Sequence, residues 1–184
     1  SLLPLLESLC VGETLELESR ADSLYLGMGG KVPLSIHKEV ELFATIALKD
    51  KLSERSYIAN KLAFEKQSTE RYLKQFSWDA QYDSLTRIYY QKMKEEPNKP
   101  QVDQRAKLNY SIESITGKFI TKNKPDNPLL FDKSDKNILK GIHFLVGLLR
   151  EGEKVRAILP SDQAFGPDGN SKVGGFNPIV IELE

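Results

Sequence analysis

Few side chains in this 184-residue chain are of types that make or break bonds. There is one cysteine, Cys10, and there are two histidines, His37 and His143. A single thiol excludes an internal disulfide and a Cys-rich zinc site, and two well-separated histidines are too few for a metal centre. Asp132, Asp135 and Asn137 are spaced like the start of a calcium loop, but the glycine and closing glutamate of that motif do not follow. Gly166 to Gly175 is glycine-rich but leads into a strand pattern, so it lacks the helix N-terminus that holds phosphate. What remains is apolar and aromatic: Tyr110, Ile142 and Phe165 have the character of core residues in any α+β domain. No metal and no cofactor is expected.

Composition narrows the partners. Twenty-six basic residues balance twenty-six acidic ones, and the pI is about 6.7. A nucleic-acid binder would normally show a basic face, so no nucleic-acid partner is expected. With 40% hydrophobic and 28% charged residues, the chain falls in the ordinary globular range. No apolar run approaches the roughly 18–20 residues that span a bilayer, so no transmembrane segment is expected.

The elements that must position the apolar residues can be read from periodicity. Leu15 and Leu17 alternate with Glu16 and Glu18, a half-buried strand, and Val40, Leu42, Ala44, Ile46 and Leu48 share one face of a second. Between them, Gly27–Met28–Gly29–Gly30 reads as a flexible loop. Ser53 can cap a long, mostly solvated helix to Phe76, with a diluted stripe of Ile58, Leu62, Tyr72, Leu73 and Phe76. Ile88–Tyr90 is a short strand. Arg105 to Thr116 is one clear strand, with Ala106, Leu108, Tyr110 and Ile112 facing one way, and Gly117 turns it into Lys118–Ile120. Ile138, Ile142, Leu145 and Leu149 mark one short amphipathic helix. Val155, Ala157 and Leu159, and then Ile179, Ile181 and Leu183, end the chain as strands. The expected fold class is α+β, an antiparallel twisted sheet wrapped around a short helix.

A shift of 140 residues aligns Leu9 with Leu149, Gly12 with Gly152, Glu13 with Glu153, Asp22 with Asp162 and Tyr25 with Phe165. If this is a repeat, its first copy holds only the second half of a module. A half-sheet leaves edges and an apolar face open. An upstream segment or a partner chain is therefore expected to complete it.

Leu159–Pro160–Ser161–Asp162–Gln163–Ala164–Phe165–Gly166 resembles the Ile-Pro-x-x-x-Ala-Tyr-Gly signature of FK506-binding-protein (FKBP) type peptidyl-prolyl cis-trans isomerases. Ile138–Leu139–Lys140–Gly141 resembles the family's Val-Ile-x-Gly before its helix, and Glu151–Gly152–Glu153–Lys154 the turn after it. Leu108–Asn109–Tyr110–Ser111 resembles the Val-x-Tyr-Thr strand, and Pro178–Leu183 the last strand. The layout this implies is the C-terminal half of a first FKBP-like domain at 1–52, a mostly helical connector at 53–85 and an FKBP-like domain at 86–184. Two modules with a charged helical connector also look like envelope lipoproteins of Bacteroidetes-type bacteria. That looser resemblance implies a periplasmic or envelope location, with a lipid anchor upstream of Ser1.

Carried over residue by residue, the family's cleft falls on Tyr110, Ile120, Leu129, Phe131, Ile138, Leu139, Ile142, Phe165 and Ile181. Ile142 stands where the family usually has the tryptophan of the floor, and Leu129 and Ile181 where an aromatic is usual. Phe165 replaces a tyrosine whose hydroxyl donates to the ligand. Ile120–Thr121 replaces Phe-Asp, and Lys118–Phe119 leaves open a one-residue shift that would restore the phenylalanine. In the first copy Tyr25 keeps the tyrosine, but Arg20 and Leu26 replace the proline and glycine. The resemblance implies weak isomerisation of X–Pro bonds in proline-containing peptides or unfolded proteins. It involves no catalytic acid, base or nucleophile, because no covalent bond is broken. The alternative is a non-catalytic chaperone or interaction module that keeps the fold with a degenerate pocket.

Overall fold

The alternation at Leu15 and Leu17 makes a strand in the computed structural model, which describes residues 2–28 and 30–184. Ser1 lies outside the described residues, as does Gly29 of the expected loop. The chain divides into two compact units, Ser1–Tyr57 and Ile58–Glu184.

In the first unit, α1 (Leu3–Ser8) leads through a turn into β1 (Thr14–Arg20), and α2 (Ala21–Gly27) precedes β2 (Glu41–Ala47). The strands pair antiparallel from Thr14↔Ala47 to Arg20↔Glu41. Leu15, Leu17, Leu42, Ala44 and Ile46 are half-buried while their neighbours are exposed, the period-2 signature of a sheet with one covered face. The sequence reading has no counterpart to α2, which takes Gly27 out of the expected loop. Val40 is exposed rather than on the covered face.

In the second unit, α3 (Glu54–Gln75, beginning in the first unit) is followed by β3 (Gln81–Asp83), β4 (Ile88–Lys94), β5 (Arg105–Leu108), β6 (Tyr110–Ser114), β7 (Phe119–Lys122) and β8 (Leu129–Asp132). Then come α4 (Lys140–Leu148), β9 (Lys154–Leu159), a 3-10 turn at Ser161–Gln163, and β10 (Ile179–Leu183). The described residues form a six-stranded antiparallel sheet in the order β3-β4-β9-β10-β6-β7, with β5 and β8 as a separate ribbon.

The expected single strand over Arg105 to Thr116 is two strands in two sheets. At Asn109 the chain changes partners: its N–H and C=O pair with Glu184 at 2.8 and 2.9 Å. The Asn123 side chain takes the Tyr110 N–H at 2.6 Å and donates to Asn109 Oδ1 at 3.0 Å. Asn109 lies on the polar side of an unbroken alternation, so nothing local marks the break. Likewise Ile88–Tyr90 is only the start of β4, which runs on to Lys94 beside β9.

One apolar cluster lies on the α4 side of the sheet. It joins Ile142, Leu145, Val146 and Leu149 to Val155, Ala157, Leu159, Ile179, Ile181 and Leu183. Fully burying side chains of this size contributes about 1.5–3 kcal/mol each. The other sheet face is also covered. Ile158 and Val180 pack with Tyr72 of α3, flanked by Leu73, Trp78 and Tyr89. Arg156 Nη2 donates to the Tyr72 hydroxyl at 2.7 Å, and its guanidinium lies 5.2 Å from the Trp78 ring centre. The buried stripe of α3 is therefore Glu65, Thr69 and Tyr72. Ile58, Leu62 and Phe76, expected on that stripe, are exposed. The carboxylate can be inside because it is hydrogen-bonded there.

Two turns 140 residues apart are built alike. Gly12 and Gly152 both hold positive φ, +94° and +78°. The Cys10 N–H donates to Glu13 Oε2 at 2.6 Å, and the Arg150 N–H to Glu153 Oε2 at 2.8 Å. The Glu13 and Glu153 N–H groups donate back to the same two residues' carbonyls at 3.0 and 3.1 Å. Glu153 is buried and has more partners: Lys92 Nζ at 2.9 Å and the Glu96 N–H at 3.1 Å. Burial alone would raise its pKa, but these donors outweigh it and hold the carboxyl at about 2 against an ordinary 4.5.

A depressed folded pKa stabilises the protein above the unfolded value, and that stability is lost as pH falls through the folded one. Wild type should therefore lose stability between pH 4.5 and about 2 partly through Glu153. Glu153→Gln should lower stability at pH 7 by about 1–3 kcal/mol and flatten the acid limb in urea titrations. Equal acid limbs in both proteins would remove Glu153 from the cause.

Candidate functional site

Site residues come from five elements of the second unit and the loops beside them. β6 supplies Tyr110, β7 Ile120, β8 Leu129 and Phe131, α4 Ile142, and β10 Ile181. Ile138 and Leu139 lie on the approach to α4, and Phe165 lies in the loop after the 3-10 turn. All nine belong to the α4-side apolar cluster. Phe131, Ile142 and Ile181 are buried within it, while the other six are half-buried and pack against it. Tyr110 carries the one side-chain hydroxyl of the nine, and no member is charged.

The segment Lys118–Thr121 contains a bulge. Ile112 pairs with Thr121 and Glu113 with Phe119, leaving Ile120 as the extra residue. A bulge re-aims side chains. Here Ile120 packs against the cluster and Phe119 is exposed.

Helix α4 can stand this close to β9 because residue 141 has no side chain. A Cβ on Gly141 would lie 2.6 Å from Leu159 Cδ1 and 3.1 Å from the Gln163 carbonyl. That spacing relates α4 directly to the loop that carries Phe165. The loop is closed on itself: Gly166 N–H donates to Ser161 O at 2.7 Å, and Ala164 N–H to the same oxygen at 3.0 Å. Beyond it, Val173 is buried in the cluster. Its N–H is held by Asn170 Oδ1 at 2.8 Å, and Lys172 Nζ reaches the Ile120 carbonyl at 3.4 Å.

Sequence reasoning missed Val173, whose glycine-rich surroundings read only as loop. It also missed Glu65, whose partner Ser161 lies 96 positions away. A signal that could have found Val173 is the 140-residue shift, which with a one-residue adjustment sets it opposite Val32.

Of two grooves in the second unit, one lies beside the cluster and the other on the α3 side of the sheet. One of about 620 Å³ is lined by Gln101, Asp103, Lys133 and His143, and it shares only Phe131 with the nine. The other, about 430 Å³, lies between α3 and the β3–β4 hairpin, next to Pro160. The His143 ring is tilted 59° to that of Phe131, ring centres 5.1 Å apart, with Nε2 3.0 Å from the Asp135 carbonyl. Asp132 accepts from the Ser134 hydroxyl and N–H, and these with Arg105 hold its carboxyl at about 2. Its oxygens are thus engaged by neighbouring residues.

Residues 96–184 match the family model of FKBP-type peptidyl-prolyl cis-trans isomerase. Comparison with curated proteins finds no match. Among solved structures, the chain is similar to FkpA from Escherichia coli at 20% identity and a TM-score of 0.56. That match covers 74% of this chain and 73% of the other. It is also similar to a peptidyl-prolyl cis-trans isomerase from Pseudomonas syringae pv. tomato, at 21% identity and a TM-score of 0.57. Here the match covers 74% of this chain and 95% of the other. At such identities the likeness is one of fold.

Gly141→Ala should force α4 away from Leu159 and the Gln163 carbonyl, destabilising the protein by about 1–3 kcal/mol as overpacking does. An unchanged urea midpoint would show that α4 is not held at this distance by the glycine.

Proposed function

We propose that the second unit, whose residues 96–184 match the model of the FKBP-type peptidyl-prolyl cis-trans isomerase family, slowly isomerises X–Pro bonds in peptides or unfolded proteins. The observation that carries this reading is the gathering of the nine residues into one uncharged cluster whose outer members are half-exposed. Rotating an ordinary peptide bond costs about 18–20 kcal/mol because resonance is lost. X–Pro bonds turn over in tens to hundreds of seconds unaided. The planar amide has more charge separation than the twisted one. An apolar, water-poor surface therefore disfavours the planar form relative to the twisted one, lowering the barrier. In this reading Phe165, Ile138, Leu139 and Leu129 hold the proline ring, Ile120 walls one side, and Tyr110 offers the hydroxyl.

A second reading, a binding module without catalysis, is favoured by what stands at two positions. Phe165 has no hydroxyl to donate, and Thr121 stands where the family resemblance implies a carboxylate. An aliphatic floor at Ile142 and Ile181 supports loose binding in either case.

We also propose that 1–52 repeats the second half of the FKBP-like module, that 53–85 connects, and that 86–184 is the FKBP-like domain. The matched turns at Cys10–Glu13 and Arg150–Glu153 support this. An experimental structure should superpose α1, turn and β1 on α4, turn and β9; a different helix-to-strand packing contradicts the repeat.

In a protease-coupled assay on an X–Pro peptide, micromolar wild type should exceed the background rate. Phe165→Ala should lower kcat/KM at least about tenfold, as loss of an apolar contact does. No acceleration by wild type selects the binding module. Full activity in Phe165→Ala would mean that the cleft is misplaced.

A further inference from the structure

We propose that Glu65 of α3 is a positioning residue for the Phe165 loop, capping it from a helix outside the cleft; this deepens the isomerase reading and rests on it. Glu65 and Ser161 are both buried, at 5% and 3% exposure. The Ser161 N–H donates to Glu65 Oε1 at 2.5 Å and the Ser161 hydroxyl to Oε2 at 2.8 Å. Ser161 opens the 3-10 turn, and that turn has no side-chain cap of its own. Pro160 precedes it, with φ −63° and neither an N–H nor a polar side chain to contribute. The first free N–H of the turn is thus met by a carboxylate 96 residues upstream.

The consequence runs one bond further. The Ser161 carbonyl receives the N–H groups of Ala164 and Gly166, which flank Phe165. One residue is therefore held by Glu65 on its amide side and holds the Phe165 loop on its carbonyl side. A buried carboxylate is costly unless fully partnered. An apolar residue would pack α3 onto Pro160 without that cost. The carboxylate is retained at a point where its two oxygens match two donors on the same loop residue. On this account α3 is a strut for the cleft loop as well as a link along the chain.

The test uses the full chain with Glu65→Ala and Glu65→Gln. Hydrogen exchange by NMR should show Ala164 and Gly166 amides exchanging about tenfold faster in Glu65→Ala, with the Val180 amide of β10 within about twofold of wild type. With an X–Pro peptide, KM should rise several-fold while kcat changes little. Glu65→Gln should recover most of both effects, because its amide accepts from the Ser161 N–H and donates to the hydroxyl oxygen. If Glu65→Ala accelerates Val180 equally, Ser161→Ala, which removes one of the two bonds, is read instead and should loosen only the loop. Unchanged exchange at Ala164 and Gly166 in a folded variant overturns the proposal. If wild type shows no isomerase activity, the functional reading fails by itself, and the exchange rates still decide the role of Glu65.

Discussion

The close approach of α4 to β9 is the constraint on which the second unit depends. With no side chain at Gly141, the helix sits against Leu159 and the Gln163 carbonyl. Leu145 and Leu149 can then fill the α4 side of the sheet together with Ile179, Ile181 and Leu183. The same contact fixes where β9 ends and the 160–166 loop begins. A larger residue at 141 would separate the core from the loop, and the half-buried residues around Phe165 would lose their common support. Stability and candidate site are thus consequences of one packing distance.

The sheet is supported from both faces, which explains why β9 and β10 are so fully buried. Ala157 and Leu159 look toward α4, whereas Ile158 and Val180 look toward Tyr72 of α3. The second layer also brings polar groups inside in hydrogen-bonded pairs, Tyr72 with Arg156 and Glu65 with Ser161, although Arg156 Nε is left without a hydrogen-bond partner. Glu153 does the same at the exit from α4, linking Lys92 and Glu96 to the turn. These contacts join segments distant in sequence and give the apolar cluster its fixed frame. The absence of charge among the nine cluster residues suits chemistry that rotates a bond rather than breaking one.

Legibility followed the range of the determining interaction. Strands β1, β9 and β10 and helix α4 could be read because their burial repeats within a few residues. The break between β5 and β6 could not, because Leu108 and Tyr110 keep the same alternation across it and the cause lies at Glu184 and Asn123. That Ile120 rather than Phe119 packs against the cluster goes with the bulge opposite Ile112 and Glu113. The buried face of α3 was misread because a glutamate counts as polar until its distant partner is known. The nine cluster residues came from family resemblance, and their gathering into one cluster is a long-range property that no local pattern encodes. No helix among the described residues is long and apolar enough to cross a membrane.

On the proposed reading, the cluster acts by excluding water around a rotating amide, with no proton transfer. The most direct measurement is the X–Pro exchange rate by NMR across pH 6 to 9, repeated in heavy water. A flat profile with no appreciable solvent isotope effect is expected. A bell-shaped or sigmoidal profile, or a large isotope effect, would place an ionisable group in the reaction and contradict the account.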